Sequence, residues 1–107
     1  MKTPDSDFLN DIVNRIKSNV HPLRIILFGS AARGEISNNS DLDLLIVMPE
    51  GTHRRKTSRK VFQALRGIGV PKDIIVVTER DVVEYGKNSS LVLKPALEEG
   101  RELYAAG

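Results

Sequence analysis

The chain has no cysteine among its 107 residues, which removes disulfides, thiol catalysis and cysteine-ligated zinc together. It also lacks any apolar run near the ~20 residues needed to cross a bilayer. Its opening "MKTPDSDF" lacks the hydrophobic segment of a secretory signal, so the cytoplasm is the expected compartment. Internal repeats and low-complexity segments are absent. The length suits a single domain over residues 1–107 and leaves no room for a second, substrate-binding one. Whatever the chain acts on is then recognised by a small surface or presented by a partner. Excess charge is scarce as well: a net charge of +2 and a pI near 9.1 are too mild to announce nucleic-acid binding, and none is expected.

One stretch is short of charge of a single sign. "HRRKTSRK", residues 53 to 60, holds Arg54, Arg55, Lys56, Arg59 and Lys60 with no acid among them. Such a run is either a solvated helix face or a surface turned toward an anion or an acidic partner, and both readings stay open. The composition as a whole, 40% hydrophobic and 28% charged, is that of a globular protein.

Periodicity places the elements. Phe8, Leu9, Ile12, Val13, Ile16 and Val20 recur at helical spacing, with Thr3 as N-cap, Pro4 in the first helical position and Pro22 as the stop. "LRIILFG", residues 23 to 29, reads as a buried strand ending in a glycine that lets the backbone turn. Residues 30 to 40 read as a short helical turn followed by a polar loop. "DLDLLIV", residues 41 to 47, is a second strand. A helix from about Thr52 to Gly67 turns Val61, Ala64, Leu65 and Ile68 inward. "KDIIVV", residues 72 to 77, is a third strand, and Thr78 with Asp81 resembles a capping box opening a short helix. In the tail, Pro95 divides the segment into two helical pieces, Gly100 stops them, and a short final strand falls around Leu103. The expected fold class is α/β, more closely α+β: a small mixed sheet flanked by helices.

Strand interiors disfavour aspartate, yet Asp41 and Asp43 stand at the mouth of the second strand. Alternation points both to one face, with α-carbons ~7 Å apart, close enough to share one or two hard cations. Unpaired, they would repel and one would hold its proton; magnesium resolves the conflict. Asp73 opens the third strand and completes a triad if the second and third strands are neighbours, or else merely marks a turn. Gly29-Ser30, feeding a helix start, exposes backbone N–H groups to an anion such as a phosphate, with Arg33 one turn further on. Other motifs fail on the same residues. A Walker loop needs Lys-Ser or Lys-Thr after its last glycine, but Glu35-Ile36 follows Gly34. An EF-hand needs a glycine and an oxygen ligand where Leu45 and Ile46 stand. The Asp-x-Asp of dehalogenase-type phosphatases follows an apolar strand, whereas this pair precedes one.

Gly29-Ser30, ten intervening residues and Asp41-Leu42-Asp43 resemble the signature of the nucleotidyltransferase superfamily that includes polymerase-beta-like enzymes. The fuller string "FGSAARGEISNNSDLDLLIV", with Asp73 downstream and a closing "EEGRELY", is similar to the minimal nucleotidyltransferase family from about Leu23 to Tyr104. The resemblance implies a nucleotidyltransferase fold, Asp41 and Asp43 as metal ligands, and Asp73 as the third acid, which helps to activate the nucleophile. It also implies that Gly29 and Ser30, with Arg33 beside them, grip the triphosphate of ATP, and that two Mg²⁺ ions assist. Members of that family commonly act as antitoxins beside a HEPN-domain ribonuclease, and some adenylylate that partner. AMP transfer from ATP to a HEPN-type toxin is therefore the leading expectation. A non-catalytic antitoxin that neutralises its toxin by contact, and transfer to a small molecule as in antibiotic-modifying relatives, are the alternatives.

Overall fold

The structure, a computed structural model, describes residues 6–29, 42–87, 98 and 100–106. The expected Thr3 cap, the helical turn and loop of residues 30 to 40, and most of the two helical pieces before Gly100 lie outside the described residues. Elements run in the order α1 (Ser6–Lys17), β1 (Arg24–Phe28), β2 (Leu42–Met48), α2 (Arg54–Ala64), β3 (Lys72–Thr78), α3 (Glu79–Lys87) and β4 (Arg101–Ala105). The strands form one sheet ordered β3-β2-β1-β4. β2 and β3 are parallel, whereas β1 is antiparallel to both β2 and β4, so the sheet is mixed.

Strand β2 is the centre of the architecture because its apolar run is buried on both faces. Leu42, Leu44, Ile46 and Met48 pack into the larger core with Leu9, Ile12, Val13 and Ile16 of α1 and with Val61 of α2. Leu45 and Val47 point the other way and pack with Ile26, Val77 and Val82. Burying one such side chain contributes about 1.5–3 kcal/mol, so the continuous hydrophobicity of β2 fixes it between two layers. Parallel β2 and β3 need a crossover, and α2 supplies it on the same face as α1.

Helix ends follow local chemistry. α3 begins with a reciprocal cap: the Thr78 N–H donates to Asp81 Oδ2 at 3.0 Å and the Asp81 N–H donates to Thr78 Oγ1 at 3.3 Å. The backbone bond from Thr78 holds the Asp81 carboxyl below its ordinary value against an opposing desolvation, and Arg54 adds to the lowering. α2 starts and stops inside the expected 52–67 span. Thr52 donates its hydroxyl to the Pro49 carbonyl at 2.7 Å and so belongs to the preceding turn; His53 becomes the N-cap, its Nδ1 accepting from the Lys56 N–H at 3.2 Å. At the other end Gly67 and Gly69 take positive φ and end the helical path. Arg15 of α1 then donates to the Arg66 carbonyl at 3.2 Å, placing a cation at an α2 terminus that has no basic residue in its own last turn.

Candidate active site

The register brings two of the three expected acids together. Asp43 pairs directly with Asp73 across the parallel β2–β3 ladder, and side chains at paired positions share a face about 4.8 Å apart. That face is the one carrying Leu45 and Val47, opposite the α1–α2 layer. Asp43 is half-buried and Asp73 exposed, so the pair forms an anionic step descending from the sheet centre to its edge. Both acids are second in their strands. They therefore mark the sheet end where β2 and β3 enter and antiparallel β1 leaves.

Gly29 closes that end. Phe28 is the register partner of Asp43, and the next residue turns away with φ +74°, in the left-handed region that glycine tolerates. A Cβ added at Gly29 would collide with Asp43 Oδ2 and lie 3.2 Å from its Cγ. Gly29 is required here twice over, once for its backbone angle and once for the space the carboxylate occupies. The second role adds to the phosphate-facing turn that the sequence predicts at Gly29. No local sequence signal announces it, because it depends on the antiparallel register that puts residues 28 and 43 side by side.

Among the described residues, Asp43, Asp73 and Gly29 are the predicted site residues that the structure assembles. Asp41, Ser30 and Arg33 lie outside them, and among the described residues no cluster of three or more carboxylate, histidine or cysteine ligands occurs. Two adjacent carboxylates are a hard-oxygen donor set that suits a divalent cation such as Mg²⁺. The described geometry thus fits a metal of that class. No described helix is long and apolar enough to cross a membrane.

Fold and site together define an α+β domain with paired acids at one end of a mixed sheet, beside a glycine that leaves room for one of them. The sequence matches the nucleotidyltransferase domain family over residues 9–104, and the chain belongs to that family. No curated protein matches it. Several solved structures share the fold. A mutant of the toxin–antitoxin pair MntA–HpeT with two Asp-to-Glu replacements is 18% identical, with a TM-score of 0.68 over 92% of this chain and 73% of its own. A toxin–antitoxin structure with AMP-PNP is 22% identical, with a TM-score of 0.63 over 92% and 73%. The tri-AMPylated Shewanella oneidensis HEPN toxin in complex with MNT antitoxin is 17% identical, with a TM-score of 0.61 over 92% and 71%. The expected α+β nucleotidyltransferase fold is thereby shown.

Proposed function

We propose that this chain is a Mg²⁺-dependent nucleotidyltransferase that moves AMP from ATP to a hydroxyl of a protein partner, as the antitoxin of a HEPN/MNT pair. The observation that carries the reading is the in-register Asp43–Asp73 pair beside Gly29, in a chain of the nucleotidyltransferase domain family. Likeness in fold to toxin–antitoxin structures, one with AMP-PNP and one with an AMPylated HEPN toxin, supports ATP as donor and a protein as acceptor.

Asp43 and Asp73, with Asp41 two residues upstream in the sequence, would hold the cation. When bound, it supplies positive charge that lowers the pKa of an attacking hydroxyl and offsets charge on departing pyrophosphate. The chain's own residues supply position. Asp43 is fixed by strand pairing on both sides, to Phe28 and to Asp73. Exposed Asp73 faces incoming acceptor and is placed to take the hydroxyl proton as the oxygen attacks the α-phosphorus and the bond to pyrophosphate breaks. Gly29, without a side chain, leaves the approach to Asp43 open; Ser30 and Arg33 follow it in sequence as triphosphate contacts. Positioning and electrostatics carry most of such a transfer.

Purified protein mixed with α-labelled ATP, Mg²⁺ and its co-purifying partner tests this. Label on the partner that disappears with Asp73→Asn is the expected result. No label with the wild type would leave a stoichiometric antitoxin as the reading.

A further inference from the structure

Helix α2 is built against the usual rules for a stable helix. Its first turn carries cations and no acid, although the positive end of the helix dipole favours acids there. Arg55 and Arg59, and Lys56 and Lys60, are like charges at i,i+4, an arrangement that repels. All four are exposed. Arg54 alone of the run has an ion-pair partner among the described residues, Asp81 at 3.2 Å. Local violations of this kind mark places where a sequence serves something other than stability.

What they serve is visible beside the helix. A groove of about 500 Å³ is lined by Arg54, Arg55, Ser58, Arg59, Phe62 and Val76. Val76 belongs to β3, the last strand of the sheet, and among the described residues no strand pairs with its outer side. Phe62 is 41% exposed, one of two large hydrophobic residues so placed among the described residues. Arg54 marks one end of the groove, tied to the start of α3. At the other end the Lys72 Nζ lies 5.9 Å from the centre of the Phe62 ring, and Lys72 immediately precedes Asp73. A basic track with an apolar floor therefore runs on the α2 face along the outer side of β3, unpaired among the described residues, toward the strand end where Asp73 stands on the opposite face.

We infer that this groove receives an extended, acidic segment of the protein acceptor, laid along the outer side of β3 so that a hydroxyl just beyond it rounds the leading end of the strand to reach Asp73 on the other face. The acceptor role rests on the proposed transfer, while the docking itself does not. The Cβ atoms of Arg55 and Arg59, one helical turn apart, are separated by about 6 Å, close to the ~7 Å between alternate side chains of an extended strand. Guanidinium forks bind carboxylates in a bidentate way that ammonium groups do not. A strand added at a sheet edge gains main-chain hydrogen bonds while its alternate side chains are read by the groove. Single-stranded RNA fits less well, because its bases stack on successive aromatic platforms and this groove has one aromatic ring.

The test uses the full chain, without nucleotide and with chelator, so that failure of the transfer chemistry leaves the readout untouched. Probes are a fluorescein-labelled eight-residue peptide alternating Glu and Val, the same peptide with Lys for Glu, and an octa-uridine RNA, followed by fluorescence anisotropy. The acidic peptide binds the wild type and loses affinity about tenfold or more with Arg55→Glu plus Arg59→Glu, the lysine peptide does not bind, and Arg101→Gln, exposed on β4 at the far edge of the sheet, binds as the wild type does. The milder Arg55→Gln plus Arg59→Gln variant falls between, with thermal melts confirming that each variant is folded. Absent peptide binding, equal binding by the Glu variants, or octa-uridine bound as tightly as the peptide would each overturn the inference.

Discussion

Replacing Gly29 by alanine separates the two demands placed on that residue. The first is backbone: at φ +74° a side chain costs about 1–2 kcal/mol. For a chain of this size that lowers the melting temperature on the order of 10 °C. The second is space: the new methyl would collide with the Asp43 carboxylate, which must rotate or shift. A displacement near 1 Å at a catalytic group costs about 10²-fold in rate. Gly51 supplies the matched control, because its φ is +89° and a Cβ there meets nothing within 4 Å. Gly51→Ala should therefore lose comparable stability by thermal circular dichroism and keep AMP transfer from α-labelled ATP to the co-purified partner. Gly29→Ala should lose transfer about a hundredfold at a temperature where both are folded. Equal transfer by the two variants would refute the argument that Gly29 exists to clear the acid.

Three further outcomes follow from the same structure. Asp73→Asn, which removes one of two like charges facing each other across a ladder, should raise stability by about 0.2–1 kcal/mol in urea titrations without divalent cation, while abolishing transfer. Asp81→Ala removes the carboxylate that accepts from the Thr78 N–H and pairs with Arg54, leaving the backbone bond from residue 81 to Thr78 Oγ1 in place, and should cost about 0.5–1.5 kcal/mol at neutral pH. Because the folded-state carboxyl of Asp81 is held low, its contribution is fully present above the ordinary carboxylate value of about 3.9 and fades as pH falls through the lower folded value. Wild-type and variant stabilities should accordingly converge in acid titrations below about pH 4. Leu45→Ala, at a fully buried position on the acid-bearing face, should cost about 2–5 kcal/mol by chemical denaturation.

Much of the fold was legible because burial imposes a period. The stripe Leu9, Ile12, Val13, Ile16 and Val20 is buried as read, and each of the four strands overlaps the run that announced it. The Thr78–Asp81 box was readable from two residue types at fixed spacing. The start of α2 was not, because Thr52 has the chemistry of a cap but its hydroxyl is used by the Pro49 carbonyl, and imidazole is an uncommon cap. Hidden for a different reason was the pairing of β4 with β1, which includes a register shift between Ile25 and Ile26; such long-range matching leaves no local trace. The acid site lay between these cases. Asp43 and Asp73 could be singled out as strand-leading acids, but their meeting depended on β2 and β3 being neighbours. The close fit of Gly29 against Asp43 required the register itself.

The most direct measurement is AMP transfer from α-labelled ATP to the partner, in Mg²⁺, by wild type and by Asp43→Asn. Labelled partner with the wild type and background counts with the variant, both folded by thermal melt, is the predicted result. Equal labelling by the two proteins would contradict the claim that the acids joined across β2 and β3 perform the chemistry.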